Sequence, residues 1–271
     1  DVLPLVNRLS TSNQILESRK NNLSGQPPYT IVLELSDEQR EQIRGVVNKD
    51  WHRVIIVPDD YDINFKEFWD SEPPVQRIGH SFVIVSEKTE YSASANETII
   101  KLPRVNDRKN NTFGTGSHPT TQTVLCLLEK YMKPGINVLD IGTGSGILAV
   151  ATAKLGAKKV FAIDTDSTAV ETAGITAKLN EVSDKIRIET GSVDIIEDTY
   201  DLMTANLFPK IIISLAKSLA DKVTPNGVIL LSGLVSARIP EIIRIMQDVG
   251  FEHLESLTID FWGGIAFRKR I

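Results

Sequence analysis

Residues 138–148 read Val-Leu-Asp-Ile-Gly-Thr-Gly-Ser-Gly-Ile-Leu, so that one apolar run leads through three alternating glycines into a second one. The first run is short and rich in residues typical of buried strands, and the second begins a longer helical pattern. Glycine is needed where the backbone takes unusual dihedral angles or where a ligand approaches without a Cβ in its way. The segment therefore predicts a strand, a tight ligand-binding turn and a helix.

The spacing of the three glycines separates two classes of cofactor. The dinucleotide fingerprint G-x-G-x-x-G would place its third glycine at position 147, where this chain has Ile147. The pattern here is D-x-G-x-G-x-G. Its carboxylate would repel the pyrophosphate of a nicotinamide dinucleotide but would attract the cationic amino group of S-adenosylmethionine. We therefore expect S-adenosylmethionine to bind at the aspartate and the three glycines, Asp140, Gly142, Gly144 and Gly146.

Strand-like and helix-like segments alternate around this turn. Apolar β-rich runs occur at 137–141, 159–164, 185–189, 202–205 and 228–232, and helical patterns occur at 120–132, 147–155, 167–180, 209–222 and 236–249. This alternation predicts an α/β fold with a doubly wound, mostly parallel sheet. Two last strand runs, 251–257 and 259–269, have no helix between them and predict a closing hairpin, which brings the sheet to seven strands.

The first part of the chain has a different pattern. Apolar runs at 30–35 and 53–57 flank a polar helical stretch at 37–48, and residues 9–23 are compatible with one short helix. Such a mixture in a short space predicts a small α+β domain. We place this domain at residues 1–74 and expect it to recognise the substrate.

A β-rich connecting segment follows at residues 75–112. Strand patterns at 81–85 and 97–102 precede a charged, turn-rich stretch at 104–112. The doubly wound domain then occupies residues 113–271. The chain is thus predicted to have two domains and a linking segment of strands.

Composition narrows the classes of function. The 271 residues are 41% hydrophobic and 24% charged, with a net charge of −5 and one cysteine. No run approaches the roughly 20 apolar residues of a membrane helix, so we expect no membrane span. A single cysteine allows no intrachain disulfide, which fits a cytoplasmic location. The acidic balance argues against direct nucleic-acid binding, and the scattered histidines have no metal-ligand spacing, so no metal site is predicted.

Asp164 ends the strand that follows the glycine turn. It lies about 20 residues beyond Gly144, where a carboxylate accepts hydrogen bonds from both ribose hydroxyls of a nucleoside. The alternative is that Asp164 caps the next helix, a role for which Asp166 competes. We favour ribose binding by Asp164.

Asn206 ends the fourth strand of the doubly wound domain. Ligands of an open α/β sheet bind at the carboxyl ends of strands, so Asn206 should face the same crevice as the glycine turn. Its side-chain carbonyl and an exposed backbone carbonyl can accept two hydrogens from an amine and aim its lone pair at a methyl group. We therefore predict a catalytic element at Asn206, Leu207 and Phe208. The alternative is that Asn206 caps the helix that begins at Pro209.

Residues 113–121, Phe-Gly-Thr-Gly-Ser-His-Pro-Thr-Thr, complete a resemblance to a known family. F-G-T-G-x-H-x-T-T followed by D-x-G-x-G-S-G-I-L resembles the PrmA family, the bacterial methyltransferases that modify ribosomal protein L11. The resemblance is strong over residues 113–271 and moderate over about 65–102. It implies a Rossmann-like methyltransferase fold and cofactor contacts at Thr121, Gly142, Asp164 and Asn206, with Phe113 heading a loop that closes over the cofactor.

Three further residues have two interpretations each. His118 either orients its loop or helps to deprotonate the acceptor, and we favour the first. Trp262 belongs either to the core of the hairpin or to the wall of the acceptor site. Ser192 lies where this fold reaches the adenine, so we include it among the predicted cofactor contacts rather than assign it to a solvated loop.

The chain departs from the family in two places. The family reads D-P-G-x-A before F-G-T-G, whereas residues 108–112 here read Arg-Lys-Asn-Asn-Thr, and residues 1–60 match the substrate-recognition domain poorly. We expect an S-adenosylmethionine-dependent N-methyltransferase that acts on lysine or α-amino groups of a protein such as a ribosomal protein. A small-molecule amine or a different peptide is the first alternative acceptor, and a non-catalytic S-adenosylmethionine-binding module is the second alternative.

Overall fold

The computed structural model describes the backbone of Ile15–Lys20, Tyr29–Glu34 and Arg53–Ile55 and all of residues 75–103 and 113–271. The chain divides into two compact units, Asp1–Glu72 and Pro73–Ile271. The predicted helix at 37–48 and the predicted turn-rich stretch at 104–112 lie outside the described residues. The substrate-recognition role predicted for residues 1–74 stays a prediction.

Three strands represent the first unit. β1 (Ile15–Lys20), β2 (Tyr29–Glu34) and β3 (Arg53–Ile55) form an antiparallel sheet in that order. β2 overlaps the predicted apolar run at 30–35, and β3 lies within the one at 53–57. The expectation of a short helix over 9–23 is wrong at β1, because pairing with β2 supplies backbone hydrogen bonds that a local sequence pattern does not register.

The second unit begins with a small sheet. β4 (Val75–Ile78) runs antiparallel to β5 (Phe82–Ser86), and β6 (Thr98–Leu102) runs parallel to β5. The strands predicted at 81–85 and 97–102 are therefore confirmed. Four consecutive residues of β5, Phe82 to Val85, are buried, as expected for a central strand that is covered on both faces.

A seven-stranded sheet forms the centre of the second unit. Its strands are β7 (Asn137–Ile141), β8 (Lys159–Asp164), β9 (Ile186–Thr190), β10 (Tyr200–Asn206), β11 (Val223–Val235), β12 (Phe251–Ile259) and β13 (Trp262–Lys269). Their order across the sheet is β12-β13-β11-β10-β7-β8-β9, and β13 is antiparallel to both of its neighbours. The predicted doubly wound, mostly parallel sheet and its closing hairpin are confirmed.

Five α-helices in the described residues cover the two faces of this sheet. They are α1 (Pro119–Tyr131), α2 (Ile147–Lys154), α3 (Ser167–Leu179), α4 (Pro209–Asp221) and α5 (Ile239–Asp248). The first three share one core with the small sheet and Val138, whereas α4 and α5 share the other core with Leu139. None of the five is long and apolar enough to cross a membrane.

The strand order places the candidate site. β7 lies between β8 on one side and β10 on the other, so the chain reverses its direction of winding at β7. The carboxyl ends of these three parallel strands are Ile141, Asp164 and Asn206. This topological switch point is where an open α/β sheet forms its ligand crevice.

Candidate active site

Backbone geometry shapes the turn between β7 and α2. The amide of Gly142 donates to the carbonyl of Ile163 at 2.9 Å, which ties the turn to β8. Gly142, Gly144 and Gly146 have φ angles of +69°, +55° and +82°, a region that L side chains rarely adopt. At Gly146 a Cβ would lie 2.9 Å from the Cα of Ala173 in α3. This glycine therefore also permits α2 and α3 to pack closely.

Asp140 lies fully buried beneath the turn. One oxygen accepts a hydrogen bond from the hydroxyl of Thr143, and the other accepts from the hydroxyl of Thr204, both at 2.6 Å. Burial raises the pKa of Asp140 to about 6, although the two hydroxyls act in the opposite direction. Asp140 thereby joins the glycine turn to its cross-strand neighbour in β10. Direct contact of Asp140 with a cationic amino group stays a prediction.

Asp164 stands partly exposed at the end of β8. Its two oxygens accept hydrogen bonds from the amides of Gly144, at 2.9 Å, and Asp166, at 3.0 Å. Asp166 itself caps α3 by accepting from the amide of Thr168 at 2.8 Å. The capping role is thus filled by Asp166, and Asp164 has further acceptor capacity for a ligand.

Asn206 contacts the first turn of α1 from the end of β10. Its Nδ2 lies 3.3 Å from Oγ1 of Thr120 and 3.4 Å from Oγ1 of Thr121. Its Oδ1 is buried and has no hydrogen-bond partner among the described residues. The N-cap of α4 is Phe208, with no side-chain hydrogen bond, so the capping interpretation of Asn206 is wrong. An unsatisfied buried carbonyl costs about 1–3 kcal/mol, which an amine donor would recover.

Leu207 is held between two glycines from neighbouring strand ends. A Cβ on Gly142 would lie 2.5 Å from Cδ2 of Leu207, and a Cβ on Gly233 would overlap the backbone carbonyl of Leu207. The amide of Leu207 also donates to the carbonyl of Ser232 at 3.1 Å. The next residue, Phe208, is 74% exposed. A fixed leucine followed by an open aromatic ring suits a surface that receives an acceptor.

His118 is the N-cap of α1. Its Nδ1 accepts from the amide of Thr120 at 3.3 Å and lies 2.8 Å from the hydroxyl of the same residue. Its ring packs edge-on against Phe113 and Trp262, with centroid separations of 5.2 and 4.7 Å. Burial lowers the pKa of His118 to about 4, so the ring is neutral near pH 7. The orienting interpretation of His118 is confirmed.

Phe113 and Trp262 also connect His118 to the surrounding strands and turns. The carbonyl of Phe113 accepts from the amide of Ser145 at 2.9 Å, and the hydroxyl of Ser145 donates to the carbonyl of Gly114. The loop that begins at Phe113 is therefore fastened to the glycine turn. Trp262 begins β13, pairs with β11 and β12, and packs on His118, so it belongs both to the hairpin and to this cluster.

Ser192 follows β9, and its neighbour Gly191 is hydrogen-bonded to the end of β8. The amide of Gly191 donates to the backbone carbonyl of Asp164 at 2.8 Å. The hydroxyl of Ser192 donates to a carboxylate oxygen of Asp194 at 3.3 Å. Ser192 is thus close in the chain to the predicted ribose-binding residue, and its contact with adenine stays a prediction.

Sequence reasoning did not single out several hydroxyl residues that hold the site together. They are Thr120, Thr123, Thr143 and Thr204. One signal was available for Thr204: it interrupts an apolar strand two residues before Asn206, so both side chains lie on the same face of β10. For the others, the local sequence gives no partner, because their hydrogen bonds depend on the assembled fold.

Comparisons with known proteins give the family. The family model "Ribosomal protein L11 methyltransferase (PrmA)" matches residues 30–270. The chain belongs to the PrmA family. PrmA proteins are S-adenosylmethionine-dependent methyltransferases, and this chain is therefore an enzyme of that class.

Two curated relatives have the same name as this family. A ribosomal protein L11 methyltransferase of Chloroflexus aurantiacus is 32% identical over 270 residues, which cover 86% of this chain and 79% of the relative. One of Bacillus cereus is 38% identical over 198 residues, which cover 72% of this chain and 62% of the relative. The chain thus spans less than two thirds of the Bacillus protein.

Solved structures agree with the PrmA fold. A ribosomal protein L11 methylase from Lactobacillus delbrueckii subsp. bulgaricus superposes with a TM-score of 0.66 and 29% identity, covering 73% of this chain and 99% of that chain. A methyltransferase from Pyrococcus furiosus, with a TM-score of 0.50 and 20% identity, covers 59% of this chain and 86% of that chain. The second likeness shows the fold alone.

The residues of the crevice fit S-adenosylmethionine. Asp164 offers a partly exposed carboxylate that two backbone amides hold in place, as ribose hydroxyls require. Gly142 and Gly144 are partly exposed beside it and present backbone without side chains. Phe113, 40% exposed, stands at the head of the loop fastened to this turn.

Proposed function

We propose that this PrmA chain transfers a methyl group from S-adenosylmethionine to an amine nitrogen of ribosomal protein L11. The observation that carries the proposal is the buried Oδ1 of Asn206, which lacks a partner among the described residues at the sheet edge that carries the glycine turn. A free acceptor oxygen in that position suits an amine with hydrogens to donate. The names of the relatives supply the identity of the protein substrate.

The cofactor half of this proposal rests on residues of β7 and β8. Asp164 would accept the ribose hydroxyls, Gly142 and Gly144 would let the cofactor approach the backbone, and Ser192 would lie by the adenine. Thr121 and Phe113 would complete the cofactor contacts from the start of α1 and the loop before it. When bound, S-adenosylmethionine supplies a methyl group on a positively charged sulfur, which is the electrophile.

The acceptor half rests on the element Asn206-Leu207-Phe208. The side-chain carbonyl of Asn206 and a backbone carbonyl of this element would accept two amine hydrogens, which leaves the nitrogen lone pair pointing away from them. Because methyl transfer is a direct displacement, this alignment is the main contribution the protein needs to make. The exposed ring of Phe208 would contact the aliphatic stem of a lysine acceptor.

The proposed substrate fits the charge of the chain. A net charge of −5 favours association with a basic protein such as a ribosomal protein. With a ribosomal substrate, the reaction would take place in the cytoplasm. We assign recognition of that substrate to residues 1–74, and methyl transfer to the second unit.

The test is incubation of the purified chain with purified ribosomal protein L11 and methyl-labelled S-adenosylmethionine. We expect label on lysine or α-amino nitrogens, located by mass spectrometry of peptides, and labelling on the order of 100-fold slower with the Asn206→Ala variant. Label that enters only the small-molecule fraction of a cell lysate would favour the small-amine alternative. Binding of S-adenosylmethionine without label in any fraction would favour a non-catalytic module.

A further inference from the structure

A buried polar cluster lies beneath the acceptor element, and the proposed function uses one part of it. Its members are His118, Thr120 and Thr121 at the start of α1 and Asn206 at the end of β10. His118 and the two threonines are each at least 91% buried. Because water is excluded from such a buried cluster, each hydrogen bond has a definite donor and acceptor, and the contacts determine its direction.

The backbone fixes the first assignment. The amide of Thr120 lies 3.3 Å from Nδ1 of His118, and a backbone N–H can only donate. Nδ1 must therefore be the unprotonated nitrogen of the ring. The hydroxyl of Thr120 lies 2.8 Å from the same nitrogen, so it too must donate to Nδ1. The neutral ring carries its proton on Nε2.

The second assignment follows from the first. A hydroxyl has one hydrogen, and Thr120 uses it on His118, so Oγ1 of Thr120 can only accept from Asn206. The group of Asn206 at 3.3 Å from this oxygen is accordingly the NH₂ group. Its Oδ1 then has to point the other way, where it is buried and has no partner among the described residues.

We propose that His118 is a positioning residue that fixes the amide orientation of Asn206 through the hydroxyl of Thr120, and so presents Oδ1 to the acceptor amine. This inference rests on the proposed function, because it explains why the free atom of Asn206 is an oxygen and not an NH₂ group. His118 does not act as a base here: its Nδ1 accepts two hydrogen bonds from Thr120, and its ring is held edge-on by Phe113 and Trp262.

Substitutions at Thr120 distinguish this link from His118 through Thr120 to Asn206, here called the relay, from simple helix capping by His118. Thr120→Val removes the hydroxyl but keeps the backbone amide that His118 needs as N-cap, whereas Thr120→Ser keeps both. With ribosomal protein L11 as acceptor, we expect Thr120→Val to lower kcat about tenfold, the effect of losing one neutral hydrogen bond. We expect Thr120→Ser to restore most of it, and calorimetry to show little change in S-adenosylmethionine affinity. Unchanged kcat in Thr120→Val would overturn the relay.

A spectroscopic readout tests the relay without any acceptor. The side-chain NH₂ signals of Asn206, assigned by their loss in Asn206→Ala, should shift in Thr120→Val and His118→Ala and persist in Thr120→Ser. The ring ¹⁵N shifts of His118 should report the proton on Nε2 near neutral pH. A proton on Nδ1 of His118, or Asn206 signals with the same chemical shifts in both variants as in the wild type, would overturn the inference. If these signals behave as expected while wild-type protein leaves L11 unlabelled, the proposed substrate fails and the relay stands.

Discussion

On the cofactor side of the crevice, Gly142, Gly144 and Asp164 all come from the continuous unit β7–α2–β8. Backbone amides of the turn donate to the carbonyl of Ile163 and to the carboxylate of Asp164. On the acceptor side, His118, Asn206 and Trp262 come from three segments that are far apart in the chain. Side-chain hydrogen bonds and ring contacts hold this second group. The cofactor side is thus formed by neighbouring segments of the chain and held mainly through backbone amides. The acceptor side is formed by distant segments and held by side chains.

This difference predicts how each side responds to substitution. Backbone hydrogen bonds survive most side-chain changes, so the cofactor side should be sensitive chiefly at its glycines and at Asp164. Side-chain networks lose a donor or an acceptor with a single conservative change. The acceptor side should therefore lose turnover with small substitutions that leave the cofactor bound. Asp140 joins the two, because it accepts from Thr143 of the turn and Thr204 of β10.

The largest effect is expected from Asn206→Ala on the acceptor side. Loss of the positioning carbonyl should lower kcat on the order of 100-fold, because misplacement of a reacting group costs that much. Affinity for S-adenosylmethionine, measured by calorimetry, should stay close to that of the wild-type protein. Turnover equal to the wild type would remove the positioning role of Asn206. Loss of cofactor binding together with turnover would instead show that the two sides are not separable.

The reciprocal change on the cofactor side is Asp164→Ala. Removal of a carboxylate that accepts from ribose hydroxyls should weaken S-adenosylmethionine binding about 10- to 100-fold for each hydroxyl, since a hydrogen bond to a charged group contributes about 1.5–3 kcal/mol. At saturating cofactor, kcat should recover to a large part of the wild-type value.

Asp166→Ala is the matched control for this change, because it removes an identical side chain that caps α3 two residues further along the chain. It should cost about 1 kcal/mol of stability as a lost N-cap, seen in urea unfolding, and leave cofactor affinity intact. Undiminished cofactor binding in Asp164→Ala would contradict the ribose role.

The same contrast decides what the sequence could predict. The glycine spacing and the position of Asp164 define the cofactor side within one strand–turn–helix–strand stretch, so both are visible in the sequence. The alternation of strands and helices likewise predicts the sheet, because parallel strands buried on both faces leave continuous apolar runs, as in β8.

The acceptor side was visible only in part. Asn206 could be predicted from its place after a strand, but its partners Thr120 and Thr121 could not, since strand order brings them together. The burial of Asp140 was missed for the same reason. Its partner Thr204 lies in the neighbouring strand, and local sequence offers no sign that both oxygens are occupied.

A moderate effect on both sides at once is expected from Thr204→Val. This nearly isosteric change leaves one oxygen of the buried Asp140 without its hydrogen bond, which costs about 1–3 kcal/mol. We expect a lower Tm. We also expect the affinity for S-adenosylmethionine and kcat each to fall by up to about tenfold. Thr204→Ser keeps the hydroxyl and should retain most of all three. A loss confined to binding or to kcat alone would show that Asp140 does not couple the two sides.

The smallest effect concerns the pH dependence of stability through His118. Burial, with no contribution from a charged group, lowers its pKa in the folded state to about 4, from a usual value of 6.5. The unfolded state therefore binds more protons between these values, and stability from this residue is present above pH 6.5 and lost as pH falls towards 4. The slope reaches at most about 1.4 kcal/mol per pH unit.

Asp140 acts with the opposite sign in an overlapping range, so the wild-type curve alone does not isolate His118. Its folded-state pKa of about 6 exceeds the usual 3.8, and its contribution to stability is lost as pH rises through 6. His118→Asn keeps an N-cap acceptor but cannot titrate. Urea unfolding of both proteins between about pH 4 and pH 7.5 should show a gentler loss of stability on acidification in the variant, because Asp140 contributes equally to both. Parallel curves would mean that His118 takes up its proton in the folded protein as readily as in the unfolded chain, and that the acceptor side is wetter than its burial indicates.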